Sequence, residues 1–200
     1  GRRGKKALKA LKPPPAHKAV PTTSFCVDAL GYEAGAFFVT HAHADHTSGL
    51  HADFSRGPIY CSVVTARVLV AKFPGLETTG SLRPIEMGER VEVEGVSVML
   101  VDANHCPGAV QFIFELKDGR IYVHSGDMRY HPSFRDDPIL SGICKRVTTL
   151  YLDTTYCNPR YVFPSQEESI DYVASTIAGE VDAFNGGGGR AAKSPPLFLI

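Results

Sequence analysis

The 200-residue sequence predicts a mixed α/β (α+β) fold in which sheet layers are flanked by helices. Three observations predict it. Short β-rich apolar runs recur along the chain, and several stop at a histidine or an aspartate. Two neighbouring pairs of runs are joined by turn signals, Glu94-Gly95 and Lys117-Asp118-Gly119. Segments with helix-start chemistry are interspersed with them.

Taken in order, GAFFVT (residues 35–40) is an apolar run that ends where His41 begins. As a strand, it delivers His41 to a C-terminal edge, where open α/β folds place their sites. SVVTARVLVAKF (62–73) fits a helix with Ser62 at its N-cap and Pro74 just past its end. Residues 90–102 read as one hairpin, and 110–116 with 120–124 as a second. Residues 147–153 read as a strand ending on an acid. In PSQEESIDYVASTIA (164–178), Ser165 followed by Glu168 is a capping box that starts a helix. NGGGGRAAKSPP (185–196) reads as a flexible linker, and PPLFLI (195–200) as the start of a buried strand. There is no internal repeat.

With 44% apolar residues, the chain is long enough and apolar enough for one cored domain, or one plus part of another. No apolar run approaches the ~20 residues that span a bilayer, so no membrane partner is expected. No apolar stretch follows the basic N-terminus as a secretory signal would require. The five cysteines (Cys26, Cys61, Cys106, Cys144, Cys157) form no CxxC pair and read as reduced thiols. A net charge of zero hides an asymmetry. Residues 1–20 hold seven of the 21 Lys/Arg and no acid, which leaves 14 basic against 21 acidic side chains in the rest. The acidic body argues against a broad nucleic-acid surface. The tail, residues 1–20, reads as a solvated, disordered segment; phosphate contact or a localisation signal is the alternative. A start on Gly and a finish on PPLFLI read as an excerpt of a longer protein.

The chemistry concentrates in HAHADH, residues 41–46, which holds three of the eight histidines. In an extended segment, positions i and i+2 point the same way, so His41 and His43 can converge on one ion. Asp45 and His46 follow and offer a second cluster. Imidazole with carboxylate suits Zn²⁺, which takes about four ligands. One short motif cannot complete a two-metal site. His105 in LVDANHCPGAV and Asp127 in IYVHSGDMR each follow an apolar run, and strand ends on one sheet edge are neighbours in space. Asp28, Asp102 and His124 also sit near strand ends, where they could orient metal-bound histidines; a plain turn aspartate is an equal reading for Asp28. Cys106 reads as a small buried hydrophobe rather than a ligand.

These motifs carry a resemblance. HAHADH, His105 and Asp127 resemble the metallo-β-lactamase signature HxHxDH…H…D. VDANHCPGAV, VHSGDMR and LYLDTTYCNPRYVFPSQ are similar to the DNA cross-link repair nucleases of the β-CASP branch, over roughly residues 20–178. The resemblance implies an αβ/βα sandwich core over 21–154 and the beginning of a β-CASP cap over 155–200. It implies one zinc on His41, His43 and His105, a weaker second site with Asp45 and His46, and Asp127 between the two ions. Asp153 matches the acid before the cap, and an aspartate there resembles the DNA branch rather than the RNA-processing one. A later histidine that completes the second site has no counterpart, since the last histidine is His131. Ala42 and Thr47 replace residues that are often aromatic in the family. The implied activity is 5′-to-3′ exonuclease action on DNA with a 5′-phosphate end, in the nucleus, with Asp45, Asp127 and Asp153 catalytic. Thr154, Thr155 and Arg160 are candidate phosphate donors or ordinary turn residues alike. The alternatives are a small-ester or thioester hydrolase on the same fold, or an inactive chain that only binds. LDTTYCNPRYVFPSQ, which a small substrate does not need, separates the first from the nuclease reading.

Overall fold

The computed structural model describes residues 11–186, which form two compact units divided between Asp153 and Thr154. In the first unit, β1 (Phe25–Val27), β2 (Ala36–Phe38), β3 (Ile59–Ser62) and β4 (Leu82–Ile85) form a parallel sheet in chain order. A second sheet runs β5 (Val91–Val93), β6 (Val96–Asp102), β7 (Val110–Glu115), β8 (Ile121–His124) and β9 (Val147–Tyr151). Its pairs are antiparallel except β8 with β9, which is parallel. A parallel pair needs a crossover, and here α2 (Pro138–Ile143) supplies it; α1 (Val63–Lys72) does the same between β3 and β4.

Strand alternation sorts the side chains into layers. On the first sheet, Phe25, Val27 and Phe38 face the second sheet, while Cys26, Phe37 and Val39 face α1 and meet Ala66 and Leu69. On the second sheet, Val98, Leu100, Phe112 and Phe114 face the first, while Met99, Val101 and Ile113 face α2 and meet Ile143. The order is therefore helix, sheet, sheet, helix, which is the sandwich expected. Phe38 lies at the centre, 4.9 Å from the Phe114 ring and 5.3 Å from that of Phe112, both edge-on. Burying each such ring contributes about 1.5–3 kcal/mol, so this aromatic group dominates the contact between the sheets.

Local chemistry explains the elements. Ser62 caps α1 by accepting the Thr65 N–H at 3.1 Å. The β5–β6 turn puts Glu94 at φ 48° and Gly95 at φ 78°, the two-residue turn whose twist matches a hairpin. In the second unit, α3 (Gln166–Gly186) opens with the capping box intact. The Ser165 N–H donates to Glu168 Oε2 at 2.6 Å, and the Glu168 N–H to Ser165 Oγ at 3.0 Å.

Several expectations are corrected. The helix after the capping box runs past residue 178 to Gly186, so Asn185 and Gly186 are helical rather than linker. β9 stops at Tyr151, because beyond it the Ser125 hydroxyl, not a backbone carbonyl, takes the Asp153 N–H at 2.8 Å. Residues 11–20 are not a free tail. Ala16–Lys18 form a 3₁₀ turn, Lys18 Nζ donates to the Asp28 carbonyl at 2.7 Å, and Val20 is buried. The other tail residues 1–10, the linker from 187 and PPLFLI lie outside the described residues.

Candidate metal centre

Both sheets end at the same place. After β1, Asp28 turns the chain at φ 50° and is buried. Its carboxylate accepts the Thr40 N–H at 2.8 Å and the Thr40 hydroxyl at 2.7 Å. That hydroxyl proton is spent on Asp28, so the Thr40 oxygen accepts from His41 Nδ1 at 3.0 Å. Nε2 of His41 is thereby left as the bare nitrogen. Burial, then the neighbouring His46, lowers the His41 pKa to about 4, which keeps the ring neutral at physiological pH.

The remaining residues of HAHADH wind into a turn, with the Thr47 N–H and hydroxyl both donating to the His43 carbonyl. Lys72, at the end of α1, donates to the Ala42 carbonyl at 2.5 Å and ties the loop to that helix. His43 Nδ1 lies 2.8 Å from His41 Nε2 and 3.2 Å from His105 Nε2. His46 donates Nδ1 to Asp28 at 2.7 Å, and its Nε2 faces Asp127 at 3.2 Å and Asp45 at 3.4 Å. Burial opposes a charge on His46, but the Asp28, Asp127 and Asp45 carboxylates outweigh it and raise its pKa. Asp127 Oδ2 lies 3.9 Å from His41 Nε2 and 3.7 Å from His105 Nε2.

Two donor groups result: His41, His43, His105 and Cys106, and His41, His46 and Asp127, each with ligand atoms within 4.8 Å of one another. In a tetrahedral site with metal–nitrogen bonds of about 2.0–2.1 Å, neighbouring nitrogens stand about 3.3 Å apart. The observed 2.8 and 3.2 Å spacings approach that edge, and the donor types suit a divalent metal, so the residues fit one.

A model of the beta-lactamase superfamily domain matches residues 31–188. The chain belongs to the beta-lactamase superfamily. It is 45% identical over 166 residues to DNA cross-link repair protein SNM1 of Arabidopsis thaliana, covering 81% of this chain and 34% of that protein. It is 46% identical over 173 residues to DNA ligase 6 of the same plant, covering 82% and 12%. It is 42% identical over 163 residues to the 5′ exonuclease Apollo of Gallus gallus, covering 79% and 34%. The chain thus spans about a third or less of the length of these curated relatives.

Around the donors of this beta-lactamase superfamily chain, the structure sorts the other candidates. Asp28 touches a histidine of the cluster directly. Asp102 does not: it is exposed, and its carboxylate accepts the Asn104 N–H at 3.2 Å, which shapes the loop before His105. His124 supports the Asp127 loop instead of a ligand ring, with Nδ1 accepting the Gly126 N–H at 3.1 Å and Nε2 donating to the His17 carbonyl at 3.3 Å. Asp153 accepts the Met128 N–H at 3.1 Å and so grips the same loop from its other side. Cys106 is not a buried hydrophobe. It is half-exposed, with its sulfur among the histidine nitrogens, and burial followed by the nearby Asp127 raises its pKa. Thr154, Thr155 and Arg160 belong to the second unit, where the Arg160 guanidinium lies 5.0 Å from the Tyr161 ring centre.

Sequence reasoning passed over two residues that build this site. Thr40 relays Asp28 to His41, and the only signal was a polar residue closing an apolar run. Gly126 sits at φ 55°, where an added Cβ would come 2.7–2.9 Å from the Thr40 side chain. Only glycine lets the Asp127 loop approach the histidine loop this closely. A cavity of about 340 Å³ adjoins the site, lined by Asp28, His46, His124, Asp127, Tyr151 and Asp153 among others.

His124 gives the loop a pH dependence. Burial holds its pKa below the ordinary imidazole value, so the folded state favours the neutral ring. The stability it contributes is complete above the unfolded pKa of about 6.5 and is lost as pH falls through the depressed folded value. Protonation would also turn Nδ1 from an acceptor into a donor facing the Gly126 N–H. The metal-free chain is expected to lose urea stability as pH falls below about 6.5, and His124→Asn, which cannot titrate, is expected to lose less. Equal losses in the two proteins would remove His124 from the explanation.

Proposed function

We propose that this chain carries the zinc centre of a DNA nuclease, a 5′-to-3′ exonuclease that hydrolyses phosphodiesters during interstrand cross-link or double-strand break repair in the nucleus. The observation that carries the reading is the convergence of His41, His43, His46, His105 and Asp127 from both sheets on one point. The names of relatives at 42–45% identity support the substrate class. One zinc is assigned to His41, His43 and His105. A second, weaker one is assigned to Asp45 and His46, with Asp127 shared. Zinc held there would lower the pKa of bound water toward ~7 and offset charge on phosphate oxygens.

The chain's own residues do the rest. Asp28 fixes both the Thr40–His41 relay and the tautomer of His46, so the lone pairs face inward before substrate arrives. The Asp45 side chain, 78% exposed beside His46, is open to the solvent from which an attacking water comes and is assigned to orient it. Asp153 holds the Asp127 loop through the Met128 N–H. Phosphate contact is assigned to Thr154, Thr155 and Arg160 on their position directly after Asp153.

The test uses 5′-phosphorylated single-stranded DNA labelled at its 3′ end, with zinc supplied and His43→Ala as control. The expected result is a ladder of shortened products that the variant does not make. Binding of the DNA without cleavage, with zinc present at full stoichiometry, would overturn the assignment for this chain. Hydrolysis of a thioester probe in place of DNA would move it to the small-substrate hydrolases.

A further inference from the structure

We infer that His17 and Lys18 form a clasp that positions the second donor group, so that the N-terminal segment sets the metal affinity of the second site. Both are positioning residues, acting through His124 and Asp28. The inference rests on the metal-centre reading above and adds to it two residues that precede the matched family domain, which begins at residue 31. Two contacts carry it, one to a loop of each sheet.

Lys18 makes the first contact. Its Nζ donates to the Asp28 carbonyl at 2.7 Å, while the Asp28 N–H donates to the Phe38 carbonyl at 2.8 Å. The Asp28 backbone is thereby held from both sides at φ 50°, a region that few residues other than glycine adopt. Its carboxylate in turn fixes His46 through Nδ1 at 2.7 Å. His17 makes the second contact, with its backbone. Its carbonyl accepts from His124 Nε2 at 3.3 Å, and His124 Nδ1 accepts the N–H of Gly126, the residue before Asp127. Two consecutive residues therefore lead to His46 through one sheet's loop and to Asp127 through the other's. Those two side chains are the pair that meets at 3.2 Å in the second donor group.

The clasp is itself anchored. The Lys18 N–H donates to the Pro15 carbonyl at 2.9 Å, Ala19 bridges to Cys26, and the N–H of buried Val20 donates to the Phe25 carbonyl at 3.0 Å. Further back, the Lys12 carbonyl accepts the Glu33 N–H at 2.9 Å. His17 and Lys18 line the same cavity as His46 and Asp127. The first site is held differently. His43 and His105 meet each other at 3.2 Å. His41 does depend on Asp28 through Thr40, but the Thr40 carbonyl also accepts the Val110 N–H at 3.0 Å, which fixes that residue to β7. Loss of the clasp would therefore loosen the second site and spare the first, which makes residues 17 and 18 a control point for the centre.

The experiment is a calorimetric titration of the metal-free chain with zinc, resolving two equivalents, in wild type, Lys18→Met and Lys18→Arg. Methionine keeps an apolar stem and removes the donor, whereas arginine keeps both donor and charge. Lys18→Met is expected to weaken the second equivalent about tenfold and to leave the first within about twofold of wild type, and Lys18→Arg to recover most of the loss. An unchanged second affinity in Lys18→Met would overturn the clasp and leave the metal centre intact. Equal weakening of both equivalents, or loss of both, would assign Lys18 to the fold as a whole and overturn it as well. A single equivalent in wild type would remove the second site and the clasp together. Zinc binding equal to wild type in His43→Ala would instead sink the metal-centre reading itself.

Discussion

Alanine in place of His43 is expected to empty the first metal site while leaving the fold standing. His43 Nδ1 lies close to both His41 Nε2 and His105 Nε2, so it joins the two sheets' contributions. Its side chain is exposed and carries no core packing. Mutation of groups that merely orient a metal ligand typically costs 10–100-fold in affinity, so losing a ligand is expected to cost about a hundredfold or more. Zinc content after dialysis should fall, while the unfolding free energy of the metal-free protein in urea stays within about 0.5 kcal/mol of wild type. Unchanged zinc stoichiometry would refute the ligand assignment. A large loss of metal-free stability would show that His43 is a structural residue.

The largest stability effect is expected at Asp28. Its carboxylate is 3% exposed and takes the Thr40 N–H, the Thr40 hydroxyl and His46 Nδ1. Alanine there strands all three donors in the interior and loses a turn residue suited to φ 50°. Removing one partner of a buried charged network costs about 3–5 kcal/mol, a large share of a domain's total stability. Asparagine tolerates the backbone angle and can still accept from Thr40, so Asp28→Asn should recover part of that loss. It should not restore metal affinity, because its charge no longer holds His46. Chemical denaturation of the two variants separates the backbone contribution from the electrostatic one. A loss below about 1 kcal/mol for Asp28→Ala would contradict the network as described.

Much of this was legible in the sequence where local chemistry is obligatory. Glu94-Gly95 announced a hairpin because few residue pairs accept positive φ twice in succession. Ser62 and the Ser165–Glu168 box marked helix starts, since unpaired N–H groups there need an acceptor. HAHADH stood out because three imidazoles so close together are hard to explain without an ion. The rest depended on distant contacts. β3 and β4 are four residues long, and Pro84 within β4 weakened its signal; only the edge position of that strand permits the proline. α2 is six residues and contains Gly142, so it lacks a periodic pattern. Asp102 looked equivalent to Asp28, yet its carboxylate is taken up by the Asn104 N–H two residues away. The exposure of Cys106 and the need for glycine at position 126 arise only once the two loops meet.

The donors come from both sheets. Asp28 and residues 41–46 follow strands of the parallel sheet, while His105, Cys106 and Asp127 follow strands of the other. Among the described residues, the chain passes between the sheets once, through residues 86–90, all of them exposed. Cutting there would leave two polypeptides that each bear half of a chelate. Their reassociation would draw on the aromatic contact around Phe38 and on the ion together, so the complemented pair would form at lower protein concentration when free metal rises. Fused to the halves of a split fluorescent protein, such pieces would turn the way this fold divides its ligands into a readout of available zinc.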